Sequence, residues 1–284
     1  MRKVACYYVW DGTKEELNLL KLSLKTMLSY EWIEDIFILH PRLESKWPYG
    51  VFPGKINDPR IKWIGDKLYE GAPEQEAGNH FTPITQGGWN EVVTRNDGIK
   101  MCEESGADWI MQCDCDEFWT PQTYGLLAWA DENKYDMLAV PNCHFINTTQ
   151  IKLEPRCRML PPKEHFHPVE QFGEGSLDCI YDPHVRLWRA SMKLRYQYHA
   201  APQDWEYQNK TFRNVSNHCG FPLPYHPEYM NGFYQCHIHD AIGHKIRGLD
   251  PNFTIIDAPK GTMPLHYIEA WEKQFRRNDN EISN

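Results

Sequence analysis

The stretch Ala107-Asp-Trp-Ile-Met-Gln-Cys-Asp-Cys-Asp-Glu-Phe-Trp-Thr-Pro121 contains the pattern that decides the fold. Residues 108–113 are mostly apolar and predict a short buried strand. Asp114 and Asp116 follow this strand directly. Because successive side chains of a strand point to opposite faces, we expect Asp114 and Asp116 to lie on one side and Cys115 on the other.

The acids after this strand predict a divalent-metal site. Two carboxylates at close range repel each other unless a cation or a shared proton lies between them. Oxygen ligands at a strand end suit Mg²⁺ or Mn²⁺, hard ions that keep positions open for water and substrate phosphates. The alternative is a loop of ordinary solvated acids. An apolar strand that ends in Asp114, Asp116 and Glu117 is not typical of a surface, so we favour a metal site at Asp114 and Asp116.

Strand and helix patterns alternate through the first half of the chain. A strand, a helix and a second strand in this order predict a parallel pair with a right-handed crossover. The alternation therefore predicts an α/β fold with a doubly wound sheet. The predicted strands are 3–9, 35–40, 61–65, 108–113 and 137–141, and the predicted helices are 13–29, 89–104 and 121–133.

The pattern changes after residue 142, where proline, histidine and aromatic residues become more frequent. This half predicts short antiparallel strands and one terminal amphipathic helix. The predicted strands are 143–159, 185–189 and 192–198, and the predicted helix is 265–276.

Two segments resemble a known family. Residues 109–118 resemble the D-x-D-E-F segment of nucleotide-sugar glycosyltransferases of the GT-A fold, in a form like that of family two. Upstream, Thr94-Arg-Asn-Asp-Gly-Ile-Lys100 is similar to the R-N-x-G element of the same enzymes. The resemblance implies a Rossmann-like, mostly parallel central sheet flanked by helices. It implies a donor-binding half at 1–141 and an acceptor-binding and lid half at 142–284, both within one compact domain.

The resemblance also implies a nucleoside diphosphate sugar as donor, with Mn²⁺ or Mg²⁺ as cofactor. Donors of this kind bind at the carboxyl ends of the strands of an open α/β sheet. The positions implied for the base and the ribose are Val9, Asp11 and Asp66, and simple turn chemistry is the alternative for each. Arg95 is implied for the diphosphate, beside Asp114, and an ordinary surface charge is the alternative there.

Histidines of the second half are candidates for a further metal ligand, since many of these transferases recruit a C-terminal histidine. The candidates are His237, His239 and His199. A structural zinc site formed by Cys219, Cys236, His237 and His239 is an alternative, although its spacing fits no standard zinc finger. Histidines that are hydrogen-bonded at a polar surface are the other alternative.

The catalytic base is expected in the second half. Displacement with inversion at the anomeric carbon needs a carboxylate that accepts the proton of the acceptor hydroxyl. The segment 184–189, followed by Tyr198-His199, resembles a strand that leads to a histidine in these transferases. Asp204 and Glu206 come just after it and Asp182 just before it, so these three acids are the candidates. A solvated surface acid is the alternative for each, and both inversion and retention stay open.

Composition narrows the setting in which the protein works. The net charge of −9 argues against a broad non-specific grip on nucleic acid. The nine cysteines include no C-x-x-C pair, and the apolar run after Met1 is too short for a secretory or membrane segment. We therefore expect a cytoplasmic protein without a transmembrane segment; the sequence does not indicate an oligomeric state.

Together these patterns predict a metal-dependent hexosyl- or pentosyltransferase that moves a sugar from a nucleoside diphosphate sugar to a hydroxyl acceptor. A glycan or a cell-envelope intermediate is the expected acceptor. One alternative is a phage-type DNA glycosyltransferase that acts on a hydroxymethylated base. Alternatives of other classes are a metal-dependent phosphohydrolase or nucleotidyltransferase, which would use the same acids, and a non-catalytic sugar-binding module.

Overall fold

A computed structural model describes residues 2–10, 14–40, 56, 58–64, 91–153, 183–195, 219–220, 235–238, 254–258 and 260–282. The strands are β1 (Val4–Val9), β2 (Ile33–Leu39), β3 (Ile61–Ile64), β4 (Trp109–Cys113), β5 (Glu117–Trp119), β6 (Met137–His144), β7 (Gln150–Leu153), β8 (Pro183–Arg189), β9 (Cys219–Gly220), β10 (Gln235–His237) and β11 (Thr254–Asp257). The helices are α1 (Lys14–Met27), α2 (Glu91–Glu104), α3 (Thr123–Glu132) and α4 (Leu265–Ile282).

The strands of the described residues form one large sheet and one small one. The large sheet has the order β3-β2-β1-β4-β8-β6-β10-β5, with β9 paired to β6. Strands β3, β2, β1 and β4 are parallel to their neighbours, whereas β8 is antiparallel to both β4 and β6. The predicted α/β class with a mostly parallel central sheet flanked by helices is therefore confirmed.

Helices cover both faces of this sheet, and β1 shows why its sequence is apolar throughout. One set of alternate side chains packs in the same cluster as Leu20 and Leu24 of α1. The other set packs with Ile99 and Cys102 of α2. Strands buried on both faces need a continuous apolar run instead of an alternating one. The first set is Val4, Cys6 and Tyr8, and the second is Ala5, Tyr7 and Val9.

The strand order reverses its direction at β1 and β4. The chain runs from β1 outward to β2 and β3, and then returns to place β4 on the other side of β1. This reversal is the topological switch point at which open α/β sheets bind their ligands. The acids predicted as a metal site follow β4, so the fold places them at this switch point.

Three described strands of the second half belong to the same sheet. Strand β8 lies between β4 and β6, and β10 pairs with β6 and β5. The predicted boundary at residues 141 and 142 falls within β6. The two halves thus share one sheet, and their division into a donor half and an acceptor half stays a prediction. None of the described helices combines the length and the apolar character that a bilayer crossing requires.

Two predicted strands differ from the structure. The predicted strand at 192–198 is wrong in its described part, because residues 190–192 form a 3₁₀ turn that the Lys193 N–H closes by donating to the Ala190 carbonyl at 3.2 Å. Lys193 then adopts φ 55°, a left-handed conformation that ends the extended chain. The described part of 143–159 contains the end of β6 and the separate strand β7, which pairs with β11.

Helix α3 begins later than predicted, and α4 extends further. The Thr123 N–H donates to the Thr120 carbonyl and the Tyr124 N–H to the Pro121 carbonyl, so a turn precedes the first residue of α3. Helix α4 reaches Ile282, past the predicted end at residue 276. Neither difference alters the strand order at the switch point.

Candidate functional site

The acids after β4 lie on a tight turn between β4 and β5. The Glu117 N–H donates to the Asp114 carbonyl at 3.2 Å and closes this turn. Residues 114–116 are therefore not a continuation of the strand, which corrects the expected strand geometry. Asp114 and Asp116 are half-buried, whereas Cys115 is buried. We call residues 114–117 the acid turn.

Cys115 connects the acid turn to the end of β1. Its thiol donates to the Val9 carbonyl at 3.5 Å. Tyr8 pairs with Cys113 in the parallel register of β1 and β4, so the chain leaves both strands at the same level. Val9, which the sequence predicts to be near the donor base, therefore lies beside the acid turn.

Glu117 is the acid of the turn that is withdrawn from solvent, with its side chain 1% exposed. Its Oε2 accepts the N–H of Asp114 at 3.0 Å, and its Oε1 accepts Arg186 Nη2 at 3.1 Å. A buried carboxylate is costly unless hydrogen bonds and an opposite charge compensate for its lost hydration. Glu117 has both kinds of partner.

Arg186 comes from β8 and bridges two acids of the turn. Its Nη2 lies 2.9 Å from Asp114 Oδ2 and 3.1 Å from Glu117 Oε1, and its side chain is 8% exposed. Strand β8 runs antiparallel to β4 with Leu187 opposite Met111, so Arg186 is one residue nearer to the acid turn. The insertion of β8 beside β4 is what brings this second-half residue to the site.

Arg95 of α2 also contacts the acid turn. Both terminal nitrogens of its guanidinium group lie 3.4 Å from Asp114 Oδ1. Helix α2 approaches the sheet closely at Gly98, where a Cβ atom would lie 2.6 Å from the ring of Tyr7. A residue without a side chain is required at this contact, and the approach places Arg95, one turn earlier, over the acid turn.

The chemistry of these groups fits a divalent cation. Asp114 and Asp116 supply the hard carboxylate oxygens that Mg²⁺ and Mn²⁺ prefer. The acid turn carries three carboxylates and contacts two guanidinium groups, so the cluster has a formal charge of −1. Among the residues that the structure describes, no group of three His, Cys, Asp or Glu side chains converges as a metal site. Two protein carboxylates suit an ion whose other ligands are water and substrate phosphates.

The backbone of His237 lies next to the acid turn. Strand β10 pairs His237 with Glu117 on one side and with His144 on the other. One residue later, the Ile238 N–H donates to the Asp116 carbonyl at 2.9 Å. The chain segment predicted to provide a further ligand is thus hydrogen-bonded to the turn that carries Asp116.

The other predicted site residues lie outside the described residues. They are Asp11 and Asp66 of the donor side, Asp182, Asp204 and Glu206 as candidate bases, and His199 and His239 as candidate ligands. Their roles stay predictions.

The alternative of a structural zinc site is wrong. Cys219 pairs with Met137, whereas Cys236 pairs with Cys143 of the same strand, six positions further along. At the rise of a β-strand this separates the two cysteines by about 20 Å along β6. Thiolates that share a zinc ion each lie about 2.3 Å from the metal, so this pair does not form one site.

Sequence reasoning missed the roles of Glu117 and Arg186. Glutamate and arginine side chains are usually solvated, so neither residue suggests a buried pair. The two residues are also 69 positions apart in the sequence. The available signal was the arginine inside the apolar segment Val185-Arg-Leu-Trp188, because a charge in such a run needs a buried partner. That signal does not identify which acid is the partner.

No family model and no curated protein sequence matches the chain. Solved structures match it at low identity. TarS 1-349 of S. aureus is 10% identical, with 84% of this chain and 61% of that chain covered and a TM-score of 0.46. The same protein in complex with UDP-GlcNAc is 11% identical, with 82% and 58% covered and a TM-score of 0.44. The 4-diphosphocytidyl-2C-methyl-D-erythritol synthase of Anaerococcus prevotii is 10% identical, with 78% and 86% covered and a TM-score of 0.41.

The chain spans less than two thirds of the length of these TarS structures. The likenesses are distant, and the fold assignment rests on the strand order of the chain itself.

Proposed function

We propose that the protein is a metal-dependent glycosyltransferase that moves a sugar from a nucleoside diphosphate sugar to a hydroxyl acceptor. The observation that supports this most is the contact between Arg95 and Asp114, at 3.4 Å. The family resemblance rests on two separate segments, R-N-x-G and D-x-D-E-F. The fold brings the arginine of one to the first aspartate of the other, at the switch point of the sheet.

The residues of the acid turn have distinct tasks in this proposal. Asp114 and Asp116 would hold Mn²⁺ or Mg²⁺, with a further ligand from His237, His239 or His199. When bound, the cation supplies compensation for the negative charge that develops on the leaving diphosphate. Two charges of the chain, Arg95 and Arg186, already lie at Asp114.

Arg95 orients the donor diphosphate. Its guanidinium group lies 3.4 Å from Asp114 Oδ1, next to the acids that would hold the cation, and a guanidinium group matches the geometry of phosphate oxygens. Val9, Asp11 and Asp66 bind the base and the ribose at the neighbouring strand ends. If the reaction inverts, one carboxylate among Asp204, Glu206 and Asp182 accepts the proton of the acceptor hydroxyl.

The acceptor in this proposal is a glycan or a cell-envelope intermediate, and the reaction takes place in the cytoplasm. The net charge of −9 favours this acceptor over DNA. Salt separates the two, because a DNA acceptor predicts a steep loss of binding between low and moderate salt.

The test is a panel of sugar nucleotides with Mn²⁺ or Mg²⁺, in which release of nucleoside diphosphate is measured with and without acceptor glycans. Asp116→Ala should abolish transfer and the metal-dependent part of donor binding, while the melting temperature stays close to that of the wild type. Asp131→Ala is the control, because Asp131 is a half-buried aspartate in α3, bound to Arg2 and Arg189 away from the acid turn. Full activity of Asp116→Ala, or of the wild type in chelator, would contradict the proposal.

A further inference from the structure

Glu117 of the acid turn and Arg186 of β8 form a buried charged pair. We propose that Arg186 is a positioning residue that, with Glu117, fixes the carboxylate of Asp114 in the orientation that cation and diphosphate binding require. This inference rests on the proposed function. It assigns a role to a second-half residue that touches neither reacting atoms nor, in this proposal, the donor.

Besides the longer contact of its Oδ1 with Arg95 at 3.4 Å, Asp114 has two shorter contacts. Arg186 Nη2 holds its side chain at 2.9 Å, and Glu117 Oε2 holds its main-chain N–H at 3.0 Å. The two holding groups are themselves joined at 3.1 Å. Main chain and side chain of Asp114 are therefore attached to one rigid pair, which restricts both the backbone and the rotamer of this aspartate.

Stability alone gives little reason for such a pair. Moving two charges out of water is expensive, and replacing a buried ion pair with apolar residues of similar volume is often neutral or stabilising. Glu117 is 1% exposed and Arg186 is 8% exposed, so the desolvation cost applies in full to this pair. A functional gain in the orientation of Asp114 accounts for its presence.

Other contacts hold the backbone of the acid turn independently. Ser23 of α1 donates its hydroxyl to the Glu117 carbonyl at 2.6 Å, and the Ile238 N–H donates to the Asp116 carbonyl at 2.9 Å. Loss of Arg186 should therefore loosen the Asp114 side chain and leave the path of the turn intact. This separates a positioning role from a purely structural one.

The experiment compares folding with metal binding in matched variants. Arg186→Met leaves Glu117 buried without its cation and should lower the melting temperature by about 10 °C. The double variant Glu117→Gln/Arg186→Met removes both charges and should recover most of that loss. Arg189→Met is the control, because Arg189 lies in the same strand but pairs with Asp131 and Asp136.

The probe is Mn²⁺, followed by electron paramagnetic resonance in the presence of ADP, GDP, CDP, UDP or dTDP, whichever of the five binds the wild type. Groups that orient metal ligands typically change metal affinity by about 10–100-fold. We expect a loss in this range for Arg186→Met and for the double variant, even where the double variant melts like the wild type. Arg189→Met should bind Mn²⁺ with wild-type affinity.

Each outcome decides a different point. A double variant that folds and binds Mn²⁺ as tightly as the wild type overturns the positioning role. If neither Met variant folds, Arg186→Lys decides, because lysine keeps the charge but lacks the planar fork of arginine. A loss of Mn²⁺ affinity of about 10-fold then supports the role, and wild-type affinity overturns it. If the wild type binds Mn²⁺ with none of the five nucleotides, the proposed function fails, and this inference fails with it.

Discussion

Strand β8 carries two arginines three positions apart, and they make similar ion pairs in very different surroundings. Arg186 bridges Asp114 and Glu117 at the carboxyl end of β4, where its side chain is 8% exposed. Arg189 bridges Asp131 and Asp136 beside Trp109, at the start of β4, where its side chain is 29% exposed. Each arginine thus joins two acids, and the main difference is access to water.

The difference in solvent exposure indicates that Arg189 serves the fold, whereas Arg186 serves the candidate site. Ion pairs near the surface are screened by water and contribute little to folding. Arg189 also packs over the ring of Trp109, with its guanidinium carbon 4.8 Å from the ring centroid. This contact stabilises the pairing of β8 with β4. The buried pair at Arg186 costs more to form and lies at the switch point where a ligand is expected. Function therefore accounts better for Arg186 than for Arg189.

The largest expected effect comes from the acids that these arginines hold. Asp114→Asn should lower the rate of sugar transfer by about 10²–10³-fold, in the range that removal of one group stabilising transition-state charge produces. Asp131→Asn should leave the rate unchanged, because Asp131 contacts Arg2 and Arg189 at the other end of β4. The measurement is the initial rate with the best donor of the panel. Equal rates for Asp114→Asn and Asp131→Asn would show that the carboxyl end of β4 matters no more for transfer than its start.

The next effect is on stability and concerns the arginines themselves. Arg186→Met should lower the free energy of unfolding by about 3–5 kcal/mol, because it leaves the Glu117 carboxylate buried without its cation. Arg189→Met should cost only about 1 kcal/mol, from partly exposed ion pairs and the contact with Trp109. Urea unfolding at neutral pH measures both. Similar losses in the two variants would show that burial does not set the energy of these pairs.

A smaller effect is expected at the support that the acid turn receives from α1. The Ser23 hydroxyl is buried, contacts the Tyr8 hydroxyl at 2.8 Å and donates to the Glu117 carbonyl at 2.6 Å. Ser23→Ala should lower the free energy of unfolding by about 1–3 kcal/mol, because it leaves buried polar groups without this partner. Ser29→Ala is the control, since Ser29 is an exposed residue in the turn after the same helix, where its hydroxyl donates to the Thr26 carbonyl. If Ser29→Ala lost more free energy of unfolding than Ser23→Ala, the buried hydrogen bonds of Ser23 would not be what stabilises the acid turn.

The sequence was sufficient to predict the main strands and the first helix of the central sheet. Strands β1, β2 and β4 were predictable because runs buried on both faces must be apolar at nearly every position. Helix α1 was predictable from its wide apolar face. Gly98 belongs to a recognisable motif, and the structure adds the physical reason, which is the Tyr7 ring where a side chain would have to lie.

The sequence was not sufficient for contacts that depend on long-range register. Whether residues 114–116 continue a strand or form a turn depends on β5 and β10, which pair with each other after the turn. The partner of Arg186 depends on the insertion of β8 between β4 and β6, and short-range periodicity carries no information about that insertion. The charged residues of the site are therefore visible in the sequence, but their pairing is not.

The smallest expected effect is a pH dependence at a third arginine of the same segment. Arg195 donates to both carboxylate oxygens of Glu103, at 2.7 and 2.8 Å. Burial raises the pKa of the Glu103 carboxyl, but the hydrogen bonds and charge of Arg195, with a contribution from Lys193, outweigh it. The net pKa therefore lies below its ordinary value of 4.5. A pKa lowered by folding stabilises the protein above the unfolded value, and this gain is lost as the pH falls through the folded one.

Arg195→Met should therefore be less stable than the wild type at neutral pH, and the difference should shrink as the pH falls from about 5 to below the folded pKa of Glu103. Urea unfolding at a series of pH values measures this convergence. Lys62→Met is the matched control, because Lys62 pairs with Asp35 at 2.6 Å in a more exposed setting. A difference between Arg195→Met and the wild type that stays constant with pH would mean that the Glu103 pair acts through packing and not through charge.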